Sequence, residues 1–212
     1  MARPAKLTAQ PAKKAVQQRG EKTKKRFVEA TLKLASKAPM HLVTSKNISE
    51  EAGTAWASAQ YFLGSKEDLM VASIRHASEQ FIKICEKEFS RPSYSKEDLE
   101  TVVFFFWRAA NKSKAVLNHE IAISCLHDKA VTELNREIIL HTMDLTIKYV
   151  EEKITEFYPN ACIEHFQNLL FVIETFFTGL HFRRDFTRPD VAERKLDLLS
   201  KLWVNALHGC AQ

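Results

Sequence analysis

Cysteine is scarce in this chain and poorly placed for chemistry. Cys85, Cys125, Cys162 and Cys210 lie far apart and none falls in a CxxC spacing. That excludes a disulfide-stapled scaffold and a paired-thiol redox motif, and reduced, buried thiols are expected. Five glycines and six prolines in 212 residues are too few for the many tight turns of an all-β protein; long helices are expected instead. No Gly-rich phosphate loop and no G-x-S-x-G elbow occurs, so phosphate-transfer and serine-hydrolase chemistry have no foothold. His119, His127 and His141 match neither HExxH nor a zinc-finger spacing, so no metal, no cofactor and no catalytic residue is assigned. No apolar run reaches about 18 residues, the length that spans a bilayer, and the first residues contain no apolar h-region. With 45% hydrophobic and 27% charged residues, the expectation is a soluble, cytoplasmic, non-enzymatic globule without a membrane partner.

The charge that is present is uneven. Residues 1–26 carry nine Lys and Arg against one Glu, a balance of +8, whereas the whole chain is +5; the remainder is therefore −3. Large apolar residues are almost absent before Phe27, so residues 1–21 are expected to form a basic, flexible arm. Such an arm either is a solvated tail or follows nucleic-acid phosphates, with Lys24 and Lys25 at its inner end.

Residues 22–38 place Phe27, Ala30, Leu34 and Ala38 at helical spacing, with Thr31 and Ala35 between them. Pro39 disfavours helix in the residue before it. Thr44 is suited to cap a short helix, Ile48 and Ala52 share one of its faces, and Gly53 suits the left-handed turn that ends it. A second short helix is expected from Thr54 or Ala55 to Phe62. Gly64 and Ser65 then restart the chain at Lys66-Glu67-Asp68, with acids in the first turn. Helix, Gly-containing turn, helix is the DNA-binding helix-turn-helix pattern, which makes residues 22–64 a three-helix DNA-binding domain.

The segment from Phe27 to Glu67 resembles the N-terminal domain of TetR-family transcriptional regulators. The resemblance rests on Glu29-Ala30, Leu32, Leu34, Thr44, Ile48, Ala52-Gly53 and Ser65-Lys66-Glu67, in register and without a gap. It departs from the family pattern mainly in the reading helix, where Ala55 replaces a common Ser, Gln60 a common Tyr, and Gly64 a common Pro. The resemblance implies a DNA surface of Thr44, Thr54, Ala55, Trp56, Ala57, Ser58, Gln60, Tyr61 and Lys66. Within it Gln60 can pair bidentately with adenine, and Trp56 either offers an apolar face to a thymine methyl or packs inward. Ser58, Tyr61 and Lys66 take phosphate-positioning roles by similarity.

From residue 65 to 212 the chain reads as six further helices. They are expected near 66–89, from Ser95, over 115–127, from Lys129 to Phe157 with Asp128 as cap, from Pro159-Asn160 to Phe182, and from Pro189-Asp190 to His208. The run Val102 to Trp107 is apolar on every side and predicts a central, buried helix. Phe166, Leu170, Ile173 and Phe177 form a stripe on one of the last two helices; Leu199, Leu202, Trp203 and Ala206 form another. Such stripes are either core or interface. In the resembling family the equivalent pair forms a four-helix homodimer contact, which suits two-fold reading of DNA. The family also carries an effector pocket in its middle helices. Candidate lining residues are Phe81, Phe104, Phe105, Trp107, His119, Ile123, His127, His141, Leu145 and Phe176, an apolar and aromatic set that favours a hydrophobic small molecule. The expected protein is thus all-α: a homodimeric repressor that binds a double-stranded DNA operator and is released by an effector. A helical protein-binding adaptor, or a thiol-responsive regulator without a small ligand, is the alternative.

Overall fold

The computed structural model describes residues 10–90, 96–126, 131–157, 163–183 and 188–208. Every regular element among them is helical, and the chain divides into two compact units, 1–73 and 74–212.

The first unit holds α1 (Gln10–Ala35), α2 (Ser45–Ala52), α3 (Trp56–Leu63) and the start of α4 (Lys66–Glu88). Each of the first three packs on the other two. Phe27, Leu32, Ile48 and Ala59 are buried there. Buried Thr31 is satisfied locally, since its hydroxyl donates to the Phe27 carbonyl at 2.9 Å. A 3-10 turn over Met40–Leu42 follows Pro39 and buries Met40.

The first helix is longer than expected. It begins at Gln10, so residues 10–21 of the expected flexible arm are helical. The stretch is rich in Ala, Lys and Gln, which favour helix, and Pro11 falls in the first turn, where its missing N–H costs nothing. Extending a helix already anchored at Phe27 also avoids the nucleation cost an isolated basic peptide would face. Gly20 is buried, and a Cβ there would lie 3.0 Å from the Phe62 ring. The absent side chain thus leaves room for α3's aromatic. The helix ends at Ala35 rather than 38, and the chain turns before the proline.

The second unit contains α5 (Lys96–Ser113), α6 (Asn118–Leu126), α7 (Glu133–Phe157), α8 (Ile163–Phe182) and α9 (Pro189–His208), together with the rest of α4. The most extensive pairing is α5 on α9; α8 packs on both α9 and α7. Phe106 lies at the centre, with ring centroids 6.3 Å from Phe81, 5.9 Å from Phe89 and 6.2 Å from the fully buried Trp203.

Two expectations change here. The helix α5 is not buried on every side: Val102, Val103 and Phe106 are buried, but Phe104, Phe105 and Trp107 are half-buried. Aromatic side chains are long enough to lie along a packed face without pointing at its centre. The long helix starts at Glu133, not Lys129, and its cap is Thr132, whose hydroxyl accepts the Asn135 N–H at 3.2 Å. Asp128, the expected cap, lies outside the described residues.

Candidate nucleic-acid interface and internal cavity

The turn between α2 and α3 is built by local hydrogen bonding. Thr44 is extended (φ −97°, ψ 158°) and its hydroxyl accepts the Asn47 N–H at 3.2 Å. The Asn47 side chain in turn accepts the Thr44 N–H, which closes a reciprocal cap. Gly53 has φ 62°, ψ 34° and ends α2. Its N–H and that of Thr54 reach the Glu50 and Ser49 carbonyls at 3.2 Å each. Ala55 is extended and the chain re-enters helix at Trp56 with no side-chain cap, leaving Ser58 N–H bonded to the Ala55 carbonyl at 2.9 Å.

One face of α3 is fixed by buried Ala59. Trp56 is half-buried, its ring edge-on to Phe27 at 6.0 Å and 85°, so it packs inward as well as bordering the surface. Ala55, Ala57, Gln60 and Tyr61 are exposed, Tyr61 to 80%; Thr54, Ser58 and Lys66 are half-buried. The exposed residues form one face, with the Gln60 amide as its hydrogen-bonding group. Thr44 is exposed at the cap of α2, and its oxygen is already used. Lys24 and Lys25 sit on α1, within 3.2 Å of Glu21 and 3.7 Å of Glu29. Lys46 is exposed in the first turn of α2; the sequence reading passed it over because a lone surface lysine carries no pattern.

The helix α3 ends on an unusual backbone. Gly64 has φ 97° and ψ −125°, a φ that proline cannot adopt, so the local backbone differs from one that carries proline here. Ser65 then caps α4: its hydroxyl accepts the Asp68 N–H at 3.0 Å, and the Asp68 carboxylate accepts the Ser65 N–H at 2.8 Å. Lys33 of α1 forms an ion pair with Glu51 of α2. Its hydrogen bond holds the Glu51 carboxyl below its ordinary range.

The second unit contains a half-open cavity of about 120 Å³. Ser78 and Phe81 of α4, Phe106 and Ala110 of α5, and Val116 and Asn118 line one part of it. Met143, Thr146, Ile147 and Val150 of α7 line another, and Leu170, Ile173 and Phe177 of α8 a third. Its polar corner combines His119 of α6 with Glu174 and Thr178 of α8. The distance from His119 Nε2 to Glu174 Oε1 is 3.4 Å, and His119 Nδ1 lies 3.4 Å from Thr178 Oγ1. Burial raises the proton affinity of the Glu174 carboxyl, and the neighbouring imidazole partly offsets this. Asn118 donates to Ser78 Oγ at 2.9 Å, while its own Oδ1 is buried without a hydrogen-bond partner.

Of the ten residues expected in a pocket, Phe81 and His119 line this cavity. Phe105 meets Phe89 edge-on at 5.7 Å, and Trp107 lies tilted against Phe177 at 5.1 Å. Phe104 and Phe176 are half-buried off the lining, and Ile123, His141 and Leu145 are exposed; His127 lies outside the described residues. Of the α8 residues assigned to a dimer contact, Ile173 and Phe177 are buried, and they line the cavity together with half-buried Leu170. Leu199 and Trp203 are buried within the chain, and the side chains of Phe166 and Ala206 lie outside the described residues. A residue already buried in one chain has no area left to bury against a second. The exposed apolar residues of α8 and α9 are Phe171, Val172, Phe182, Leu198 and Leu202, with Phe171 71% and Leu202 50% exposed. The stripe of Leu199, Leu202, Trp203 and Ala206 was too coarse, because consecutive Leu202 and Trp203 project about 100° apart on a helix.

Cys85 is a buried free thiol, and Cys125 is buried as well. Desolvation pushes the Cys85 thiol up to about 12, which opposes a reactive thiolate. Among the described residues no group of three His, Cys, Asp or Glu could hold a metal ion. No described helix is long and apolar enough to cross a membrane.

The protein is thus an all-α, two-unit molecule: a helix-turn-helix whose α3 carries an exposed face, and a helical unit with a mostly apolar, half-open cavity. It has the fold of the TetR-family transcriptional regulators. It superposes on the fatty acid degradation regulator FadR of Bacillus halodurans with a TM-score of 0.63 at 13% identity, over 87% of this chain and 96% of that one. For FadR of Bacillus subtilis in complex with stearoyl-CoA the values are 0.59, 17%, 88% and 98%. For the TetR-family regulator PfmR of Thermus thermophilus they are 0.58, 15%, 86% and 95%. No family model and no curated protein matches the sequence.

Proposed function

We propose that the protein is a homodimeric transcriptional repressor that binds double-stranded DNA through α3 and is released by a small-molecule effector held in the cavity of its second unit. The observation that carries this reading is the α2–α3 turn. The helix α2 is anchored by its reciprocal cap and buried Ile48, and α3 by buried Ala59, yet α3 leaves Gln60, Tyr61 and Ala57 facing solvent. A protein that used this unit only as core would have no reason to hold an amide and an 80%-exposed tyrosine on a rigid helix. Gln60 suits an adenine edge, while Ser58, Tyr61, Lys66, Lys46, Lys24 and Lys25 suit phosphates. The basic N-terminal stretch of α1 adds to the phosphate attraction as a helix rather than a loose arm.

Dimerisation is assigned to the exposed apolar residues of α8 and α9, Phe171, Phe182, Leu198 and Leu202. Phe171 and Phe182 are three turns apart and share a face. Structural neighbours bind ligands of unlike kinds, stearoyl-CoA in one case and ethidium in EbrR. A population shift accounts for release: the effector favours a state whose two reading helices are mis-spaced for successive major grooves. The same assignment makes the protein a non-enzyme of the cytoplasm. A gel-shift with fragments of the source genome tests the reading. Retention of specific fragments supports it; uniform, salt-sensitive binding or none would favour a helical adaptor that uses only its second unit.

A further inference from the structure

The cavity's own chemistry narrows the effector, an inference that rests on the regulator reading above. We propose that the cavity takes a small monocation, a ring-sized apolar body bearing one protonated amine, with the ammonium held by Glu174.

Three observations carry the proposal. The lining includes one carboxylate and no lysine or arginine, so the only side-chain counter-charge to Glu174 among the lining residues is whatever His119 supplies at 3.4 Å. An anionic ligand would bring a second negative charge into a mostly apolar, half-open pocket beside Glu174, and like charges at close range repel. The second observation is Asn118, 6% exposed, whose Oδ1 has no partner. Its amide oxygen adds a further acceptor, and no positive charge, to the wall around Glu174. The third is size. A cavity of about 120 Å³ compares with the roughly 150 Å³ that accommodates a single benzene ring, so it seats one ring-sized body, and a phosphate-bearing head would set a second negative charge beside Glu174. The desolvated Glu174 carboxyl, whose proton affinity burial raises, is the state a bound cation would relieve.

The test uses the full-length protein and four probes of one body and different heads: benzylamine, benzyl alcohol, benzoate and toluene, with affinities measured by calorimetry. Benzylamine is expected to bind at least about tenfold tighter than benzyl alcohol, because hydrogen bonds to charged groups are the stronger ones, and benzoate should bind worst. Glu174→Gln should erase the amine's advantage and leave benzyl alcohol unchanged. Equal binding of amine and alcohol, tighter benzoate, no binding of any probe, or an advantage that survives Glu174→Gln would each overturn the proposal. The wild-type series decides even if the variant fails to fold. The effect of benzylamine on a retained genomic fragment is measured separately. Tight, Glu174-dependent binding that leaves the DNA complex intact would sink the effector role and keep the cation site.

Discussion

Gly53 and Gly64 flank the reading helix, and an added methyl group should cost very different amounts at the two. Gly53 has φ 62°, ψ 34°, and a Cβ there would meet nothing within 4 Å. Gly53→Ala therefore incurs only the left-handed backbone penalty, about 1–2 kcal/mol. Reduced freedom of the unfolded chain offsets about 0.4–1 kcal/mol of that, leaving about 1 kcal/mol. Gly64 has φ 97°, ψ −125°, a conformation that costs an L residue about 1–3 kcal/mol. Its Cβ would also collide with Asp68 Oδ2, the atom that caps Ser65 at 2.8 Å. Losing that cap adds about 1 kcal/mol. After the same offset, Gly64→Ala should destabilise by about 2–3 kcal/mol. Native-state hydrogen exchange of the α2 and α3 amides reads the local opening free energy directly. The two variants should differ by about tenfold in opening equilibrium, with Gly64→Ala the more open. Equal protection in both would refute the claim that the α3–α4 junction depends on this backbone.

Three further outcomes follow from the geometry. The Glu51 carboxyl, held below its ordinary 4.5 by Lys33, contributes stability above the ordinary carboxylate range that is lost as pH falls through the lowered value. Lys33→Met should therefore raise the Glu51 midpoint seen by NMR titration, and an unmoved midpoint would mean that the pair does not form in solution. On α9, Leu202→Glu should give folded monomers by sedimentation, because Leu202 is half-exposed. Trp203→Ala, at the buried neighbour beside Phe106, should instead cost about 3–5 kcal/mol of stability. A Leu202→Glu dimer would move the interface elsewhere. Replacing Lys13, Lys14 and Arg19 by Gln should leave α1 helical by circular dichroism. It should flatten the salt dependence of DNA binding by about 0.9 in log–log slope per lost phosphate contact; an unchanged slope makes the extension a solvated helix.

Local signals in the sequence translated well into structure. Thr44, Gly53 and Ser65 act through neighbours within about four residues, so their capping and turn roles follow from residue type and spacing alone. Pro189 likewise marks a helix start at its own position. Signals that depend on which neighbour a face meets did not translate. Ile173 and Phe177 read equally well as interface or core, because an apolar stripe states that a face is covered and not by what. The basic charge of residues 10–21 pointed to an arm, yet high helix propensity and the anchor at Phe27 extend α1 through them. The cavity's polar corner was half legible: His119 was picked out as an imidazole among aromatics, whereas Glu174 is an ordinary acidic residue on an apolar helix. Only the packing of α8 on the 3-10 turn Ala115–Leu117, just before His119, brings the two within 3.4 Å.

The central claim is that α3 reads a specific DNA sequence from a two-fold dimer, and footprinting on a gel-shift-selected genomic fragment tests it most directly. The account predicts two protected half-sites about one helical turn, roughly 10 base pairs, apart. It also predicts that Gln60→Ala weakens binding by about 1–3 kcal/mol and relaxes preference at one or two positions in each half-site. A single protected patch, no protection, or a Gln60→Ala protein with unchanged affinity and preference would contradict it.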